Sequence, residues 1–412
     1  MENERLKELE EHIDSCGSCN YCGRPNTGRS WCNKCSPDQR ESSGKNEIDK
    51  FILEVQHKTK NYDDNLEWIP YNKFKNIKKI GEGGFAKIYS AIWSDEPGSR
   101  GHVKVALKKL KSPTEAFINE MKIHNECSYA NSYITQFYGI TKDPETEEFF
   151  MVLEYATNGN LRKYLEINFP TLEWYKRLEI LHNVIDNLDY IHNKKYIHKD
   201  LHSGNILHFD YYAKITDLGL AQSSKHDLNS NVSGVLPYIA PEVLDEKPYT
   251  FASDIYSFGI IMVEMSTGKP PYGNVPHDEK LALAICNGLR PRVSRGTPKC
   301  YIDLVNQCLD ASPGKRPSSK EILKVIRNWR FHDDHEKLSS NKEFINTDNS
   351  DADKIISRGF PSDTLHPGAI YTSRLMSFSN LPKPRNSRGI QIEDPEVSDS
   401  QLIKLHVSED LI

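Results

Sequence analysis

Between Tyr196 and Gly219 the chain sets an aspartate, Asp200, five residues before an asparagine, Asn205. It then returns through an apolar, turn-containing run to a second aspartate beside a glycine, Asp217-Leu218-Gly219. Carboxylate and amide oxygens are hard donors suited to a hard divalent cation, and a further carboxylate beside them can accept a proton. Such a loop needs a scaffold. Residues 172–195 supply one, with Leu178, Leu181, Val184, Ile185, Leu188 and Ile191 recurring at helical spacing.

The loop has company at both ends. Upstream, a strand-like run from Phe74 enters Ile80-Gly81-Glu82-Gly83-Gly84-Phe85-Ala86-Lys87-Ile88, a turn whose missing side chains let backbone N–H groups approach an anion. Val103 to Leu110 is strand-like and carries Lys108; Glu115 to Asn125 is helical, and Phe149 to Leu153 reads as a buried strand. Downstream stand Ala240-Pro241-Glu242, Asp254-Ile255-Tyr256-Ser257-Phe258-Gly259 and Arg316-Pro317.

In this order and at this spacing the set resembles the eukaryotic protein kinases, and within them the tyrosine-kinase-like group. The likeness covers roughly residues 67–331. It implies an α+β fold of two lobes, a small β-rich N-lobe and a larger helical C-lobe, that moves the ATP γ-phosphoryl group onto hydroxyls of protein substrates. By resemblance Asp200 is the base, Asn205 and Asp217 hold magnesium, and Lys108 contacts the α- and β-phosphates. Glu120 pairs with Lys108, preferred over Glu115 and Glu126 because Phe117, Met121 and His124 put it at the inner edge of its helix. Nucleotide contacts are implied for Ile80, Gly81, Glu82, Gly83, Gly84, Phe85, Ala86, Ile88, Ala106, Lys108, Glu154 and Ala156. Glu242 is expected to pair with Arg316, and Asp254 to anchor the loop.

Several positions depart from the family pattern. Ala86 stands for the third glycine of the turn, Lys199 for the arginine before the base, His202 for a phosphate-contacting lysine and Val235 for the threonine that bonds to it. Serine and threonine are the expected acceptors, with tyrosine left open. Autophosphorylation at Ser223, Ser224, Ser230 or Ser233, read by Lys199, is one hypothesis. An ATP-binding pseudokinase scaffold is the competing reading, and a third makes the cysteine knuckle and tail the working part.

Nine cysteines invite a different question, since five lie between Cys16 and Cys35. Cys19/Cys22 and Cys32/Cys35 form two Cys-x-x-Cys pairs that can close a tetrahedral zinc site; Cys16/Cys19 could replace the first. Residues 1–36 are therefore read as a Cys-rich zinc knuckle, with a short amphipathic helix in 1–14. Residues 37–66 are a linker whose Ile48, Phe51, Ile52 and Val55 share one helix face, expected to pack on the catalytic region or a partner. Residues 332–412, rich in Ser, Asn, Asp, Lys and Pro, are expected to be mostly disordered, with Ala369-Ile370-Tyr371 and Leu402-Ile403-Lys404-Leu405 as short apolar clusters. A net charge of −5 offers no field for nucleic acid, and no apolar run suggests a leader or a membrane span. The expectation is a soluble cytoplasmic protein acting on protein substrates; the sequence leaves its oligomeric state open.

Overall fold

The computed structural model describes residues 16–20, 22–26, 32, 34–35, 42–59, 66–84, 86–94, 102–110, 114–128, 134–224, 232–330, 365–378, 380–386 and 398–408. The helix expected within 1–14, Phe85 and Ser230 lie outside the described residues. The chain divides into two compact units, Met1–Tyr155 and Ala156–Ile412.

The first unit is built on a six-stranded sheet. Helix α1 (Asn46–Lys58) precedes β1 (Glu67–Trp68), β2 (Phe74–Glu82), β3 (Ala86–Ser94) and β4 (His102–Leu110); helix α2 (Thr114–Ser128) then leads to β5 (Phe137–Lys142) and β6 (Phe149–Glu154). The strand order is β1-β5-β6-β4-β3-β2, antiparallel except where β1 runs parallel to β5. Successive side chains of a strand point to opposite faces, and β6 shows the consequence. Its Phe150 and Val152 join Ile69, Phe74, Trp93, Val105 and Leu107 on one face. Met151 and Leu153 join Phe117, Met121, Phe137 and Ile140 on the other, where both helices lie.

Helix α1 belongs to that second core. Ile48, Phe51, Ile52 and Val55 are all buried in it, so the segment read as a linker supplies part of the sheet's cover. Removing such side chains from water stabilises by about 1.5–3 kcal/mol each. Gln56 closes the edge, its amide donating to the Leu66 carbonyl at 2.8 Å.

The second unit is helical. It comprises α3 (Leu161–Asn168), α4 (Trp174–Asn193), the short strands β7 (Tyr196–Ile197), β8 (Ile206–His208), β9 (Ala213–Ile215), β10 (Gln222–Ser223) and β11 (Val232–Gly234), then α5 (Pro241–Leu244), α6 (Phe251–Thr267), α7 (Glu279–Cys286), α8 (Lys299–Cys308) and α9 (Ser319–Arg330). Helix α6 is buried continuously from Ser253 to Ser266 and forms the axis of the unit. It ends at Gly268, whose φ of +70° is a left-handed cap and whose missing Cβ leaves room for the Phe169 ring.

Two segments of the region 332–412 also lie in this unit. Strand β12 (Arg374–Met376) pairs antiparallel with β11, and helix α10 (Asp399–Ser408) packs on α7. Leu402 of the apolar cluster is buried there, Asn287 donates to the His406 carbonyl at 2.8 Å, and Arg292 pairs with Asp399 at 3.1 Å. No helix among the described residues is long and apolar enough to cross a membrane.

Candidate active site

In the sheet unit, Val105 and Leu107 belong to the core on the far face, so strand alternation turns Lys108, with Ala106, onto the helix-bearing face. Its ammonium donates to the Glu120 carboxylate of α2, and both side chains are buried, 4% and 1% exposed. A buried ammonium is tolerated only beside such a partner. Across the sheet Lys108 stands opposite Ile88 on β3 and Met151 on β6. His124, one turn after Glu120, is buried and donates through Nε2 to the Thr135 carbonyl at 2.7 Å, with its ring edge-on to Phe137.

The glycine-rich turn joins β2 and β3. Gly81 pairs with Ile88 and Glu82 with Lys87, and Gly83 N donates to the Ala86 carbonyl at 2.8 Å. Gly84 lies in the turn itself, Ile80 is exposed and Ala86 is buried. Ala106 faces Leu153, Glu154 ends β6, and the Ala156 carbonyl heads the next turn by accepting from Gly159 N at 3.3 Å.

In the helical unit, two non-glycine residues of the site are in left-handed backbone, Lys199 (φ +68°) in the loop after β7 and Asp217 (φ +62°) just after β9. Such conformations persist where the surroundings over-determine them. Here Asp254, on the first turn of α6 and 1% exposed, does so for Lys199. Its carboxylate accepts from His198 N at 2.8 Å, Lys199 N at 3.0 Å and His192 Nε2 at 3.0 Å. His198 accepts from Asp200 N at its Nδ1, so its proton sits on Nε2 and goes to the Thr216 carbonyl at 3.1 Å.

Asp200 is buried. The Asn205 amide nitrogen donates to its carbonyl at 2.9 Å and to Oδ2 at 3.1 Å, which leaves the Asn205 amide oxygen as the donor atom for a cation. The β8–β9 hairpin carries Asp217 alongside, because Ile206 pairs with Ile215 and Thr216 N donates to the Asn205 carbonyl at 2.9 Å. Thus Asp200, Asn205 and Asp217 are set on one loop-hairpin unit. An amide oxygen and a carboxylate are the hard donors magnesium prefers, so these residues fit that cation.

A second network fixes the loop from beneath. Glu264 of α6, 1% exposed, accepts from Ser203 Oγ at 2.8 Å and from Tyr238 Oη at 2.6 Å. Burial and the neighbouring Glu264 charge push the Tyr238 phenol well above its ordinary value. Lys199 donates to Gln222 at 3.1 Å and lies over the Tyr249 ring, and burial pulls its pKa down. Ser233 is buried in β11, its N–H and carbonyl both taken by the Tyr249 hydroxyl. Sequence reasoning passed over Glu264, Ser373 and Arg374, and gave Ser203 and Tyr371 no role at this site. For the tail the one available signal was the apolar cluster ending in Tyr371.

A family model described as protein tyrosine and serine/threonine kinase matches residues 74–326, more than half of the chain. The chain belongs to that family. Its kinase domain is similar to the tyrosine protein-kinase src-1 of Caenorhabditis elegans, 28% identical over 289 residues, covering 66% of this chain and 51% of the relative. Serine/threonine-protein kinase A-Raf from Sus scrofa is 28% identical over 325 residues, 74% of this chain and 52% of that protein. The human A-Raf is 28% identical over 298 residues, 67% and 47% respectively. The chain spans about half the length of these relatives.

Outside the kinase domain, the Sγ atoms of Cys19, Cys22, Cys32 and Cys35 lie within 4.8 Å of one another, and Cys16 is not among them. A tight turn makes the first pair converge: Cys19 N donates to the Arg24 carbonyl and Gly23 N, at φ +69°, to the Cys19 carbonyl. Four sulfurs about 2.3 Å from a tetrahedral centre would stand about 3.8 Å apart. Cys22 and Cys32 are 4.0 Å apart, so the group fits a zinc ion. With thiols alone, the contact with Cys22 pushes the Cys35 pKa up to about 12.

Proposed function

We propose that the chain is an active protein kinase that transfers the ATP γ-phosphoryl group to protein hydroxyls, serine and threonine rather than tyrosine. The observation that carries the reading is Asp200: a buried carboxylate in a loop clamped by Asp254 and tied through Asn205 to Thr216, next to Asp217. Bound magnesium supplies neutralisation of phosphate charge, with Asn205 and Asp217 as its ligands. Lys108, oriented by Glu120, holds the α- and β-phosphates, and Asp200 orients the acceptor hydroxyl and takes its proton. The serine/threonine choice follows the two A-Raf relatives, while src-1, at the same 28% identity, is named a tyrosine kinase. Against the scaffold reading, Lys108, Glu120, Asp200, Asn205 and Asp217 all keep the side chains the chemistry needs, and the departures are confined to Ala86, Lys199, His202 and Val235.

The four cysteines are assigned a structural zinc. All nine cysteines are thiols, which suits a reducing compartment, and the cytoplasm is the proposed site of action. The test is phosphoryl transfer from labelled ATP to a degenerate peptide library. Asp200→Asn, which keeps shape but not basicity, is expected to cut the rate by about 10²–10⁴. Transfer by the variant at the wild-type rate would refute the assignment.

A further inference from the structure

The base of the kinase domain already has a hydroxyl in front of it. Ser373 donates from Oγ to Asp200 Oδ2 at 2.6 Å and is itself buried. Its other side faces His202. Gly204 N donates to His202 Nδ1 at 3.0 Å, so the neutral ring carries its proton on Nε2, which points that N–H at Ser373 Oγ, 3.2 Å away. The serine oxygen therefore accepts from His202 while its own O–H points at the carboxylate, with a lone pair left for attack.

Everything around Ser373 holds it there. Residues 374–376 form β12, with Arg374 opposite Gly234, Leu375 opposite Ser233 and Met376 opposite Val232. Gly234, at φ +134°, lets β11 approach the base: a Cβ on it would sit 3.2 Å from Asp200 Oδ1. On the N-terminal side, the Tyr371 carbonyl accepts from Arg162 at 3.2 Å and its ring lies 4.7 Å from the guanidinium. The Tyr371 hydroxyl donates to the Pro271 carbonyl at 2.7 Å. His277 donates from Nδ1 to the Ile370 carbonyl at 2.9 Å, and Arg374 donates to the His277 carbonyl at 2.6 Å. Ser373 is buried and Tyr371 half-buried, while Thr372 and Leu375 are exposed.

We propose that Ser373 is the kinase domain's own phosphoacceptor, modified within the same chain. The proposal rests on the reading of Asp200 as base. In the step, Ser373 Oγ forms a bond to the γ-phosphorus of MgATP, the bond from that phosphorus to the β,γ-bridging oxygen breaks, ADP leaves, and the serine proton passes to Asp200 Oδ2. Holding the nucleophile at the base makes the step effectively unimolecular. The product is a phosphoserine monoester carrying about −1.5 to −2 charges, and beside the Asp200 carboxylate it destabilises the docked strand. The tail is thus an acceptor used once, after which the base is open to other hydroxyls.

The test uses the full chain, dephosphorylated, with MgATP and casein as an added acceptor, and phosphosites mapped by mass spectrometry. Label is expected on Ser373, not on Thr372 or Ser377, with a rate constant independent of protein concentration. Ser373→Thr should retain it. Tyr371→Ala, which frees the strand, should slow it by about tenfold or more while casein labelling holds or rises. Label on casein with none on Ser373 overturns this inference and leaves the kinase reading intact. Label on neither overturns the kinase reading and this inference with it, and a rate proportional to protein concentration overturns the within-chain assignment.

Discussion

Replacing Arg316 with methionine probes the joint that holds the helical unit together. The Arg316 guanidinium makes a fork onto Glu242, Nη1 to Oε1 and Nη2 to Oε2, both at 2.7 Å. Nη1 also donates to the Ala252 carbonyl and Nε to the Asp310 carbonyl, each at 2.8 Å, so one side chain ties α5, the start of α6 and the segment after α8. The two side chains are 0% and 9% exposed. Arg316→Met keeps most of the stem's volume and leaves the Glu242 carboxylate buried without a partner, a loss of about 3–5 kcal/mol. For a unit of this size each kcal/mol moves the melting temperature by about 2–4 °C, so calorimetry should show a fall of about 6–20 °C. The cause is separable from lost packing. Adding Glu242→Gln removes the stranded charge, and the double variant should melt above Arg316→Met alone, a coupling that a double-mutant cycle measures. A double variant that melts at or below the Arg316→Met temperature would refute charge burial as the source of the loss.

Two further outcomes follow from side chains already placed. One zinc per chain is expected by elemental analysis, and Cys22→Ser or Cys32→Ser should each abolish it at chelator concentrations that wild type withstands; a metal-free wild-type protein would exclude the tetrathiolate assignment. Burial holds the His208 pKa down at about 4, against about 6.5 in an unfolded chain, so on acidification the unfolded state takes up its proton first. The stability that neutral His208 contributes is present at pH 7 and is lost as pH falls from about 6.5 to 4; the melting temperature should drop over that window, and His208→Gln should flatten the drop.

What the sequence made legible was whatever lies close along the chain. Asp200 and Asn205 share one loop, Asp217 returns on the next hairpin, and Lys108 falls on a definite face by strand alternation. Glu120 could be chosen over Glu115 and Glu126 because helix faces repeat every 3.6 residues. The stripe Ile48, Phe51, Ile52 and Val55 announced a buried face in the same way, but not its host, since an amphipathic helix encodes the face it hides and not the surface it meets. The links that make the site rigid are of another kind. Ser203 meets Glu264 across 61 positions, and nothing local marks either member of that pair; His198 meets Asp254 across 56, a link expected from the resemblance and not from any local pattern.

The tail is the limiting case of that non-locality. Residues 365–378 have a composition that predicts little order alone, and β12 is three residues long, too short to show a period. Its order comes from outside: the hydrogen-bonding edge of β11, the Arg162 guanidinium beneath Tyr371, and the two acceptors that Ile370 and His277 present to His277 and Arg374. A strand of this sort is stable only against its partner edge. That same dependence suits it to the role proposed for Ser373, because a segment held by a partner surface can be released by changing a single group on it, whereas one held by its own helix or core would have to unfold first.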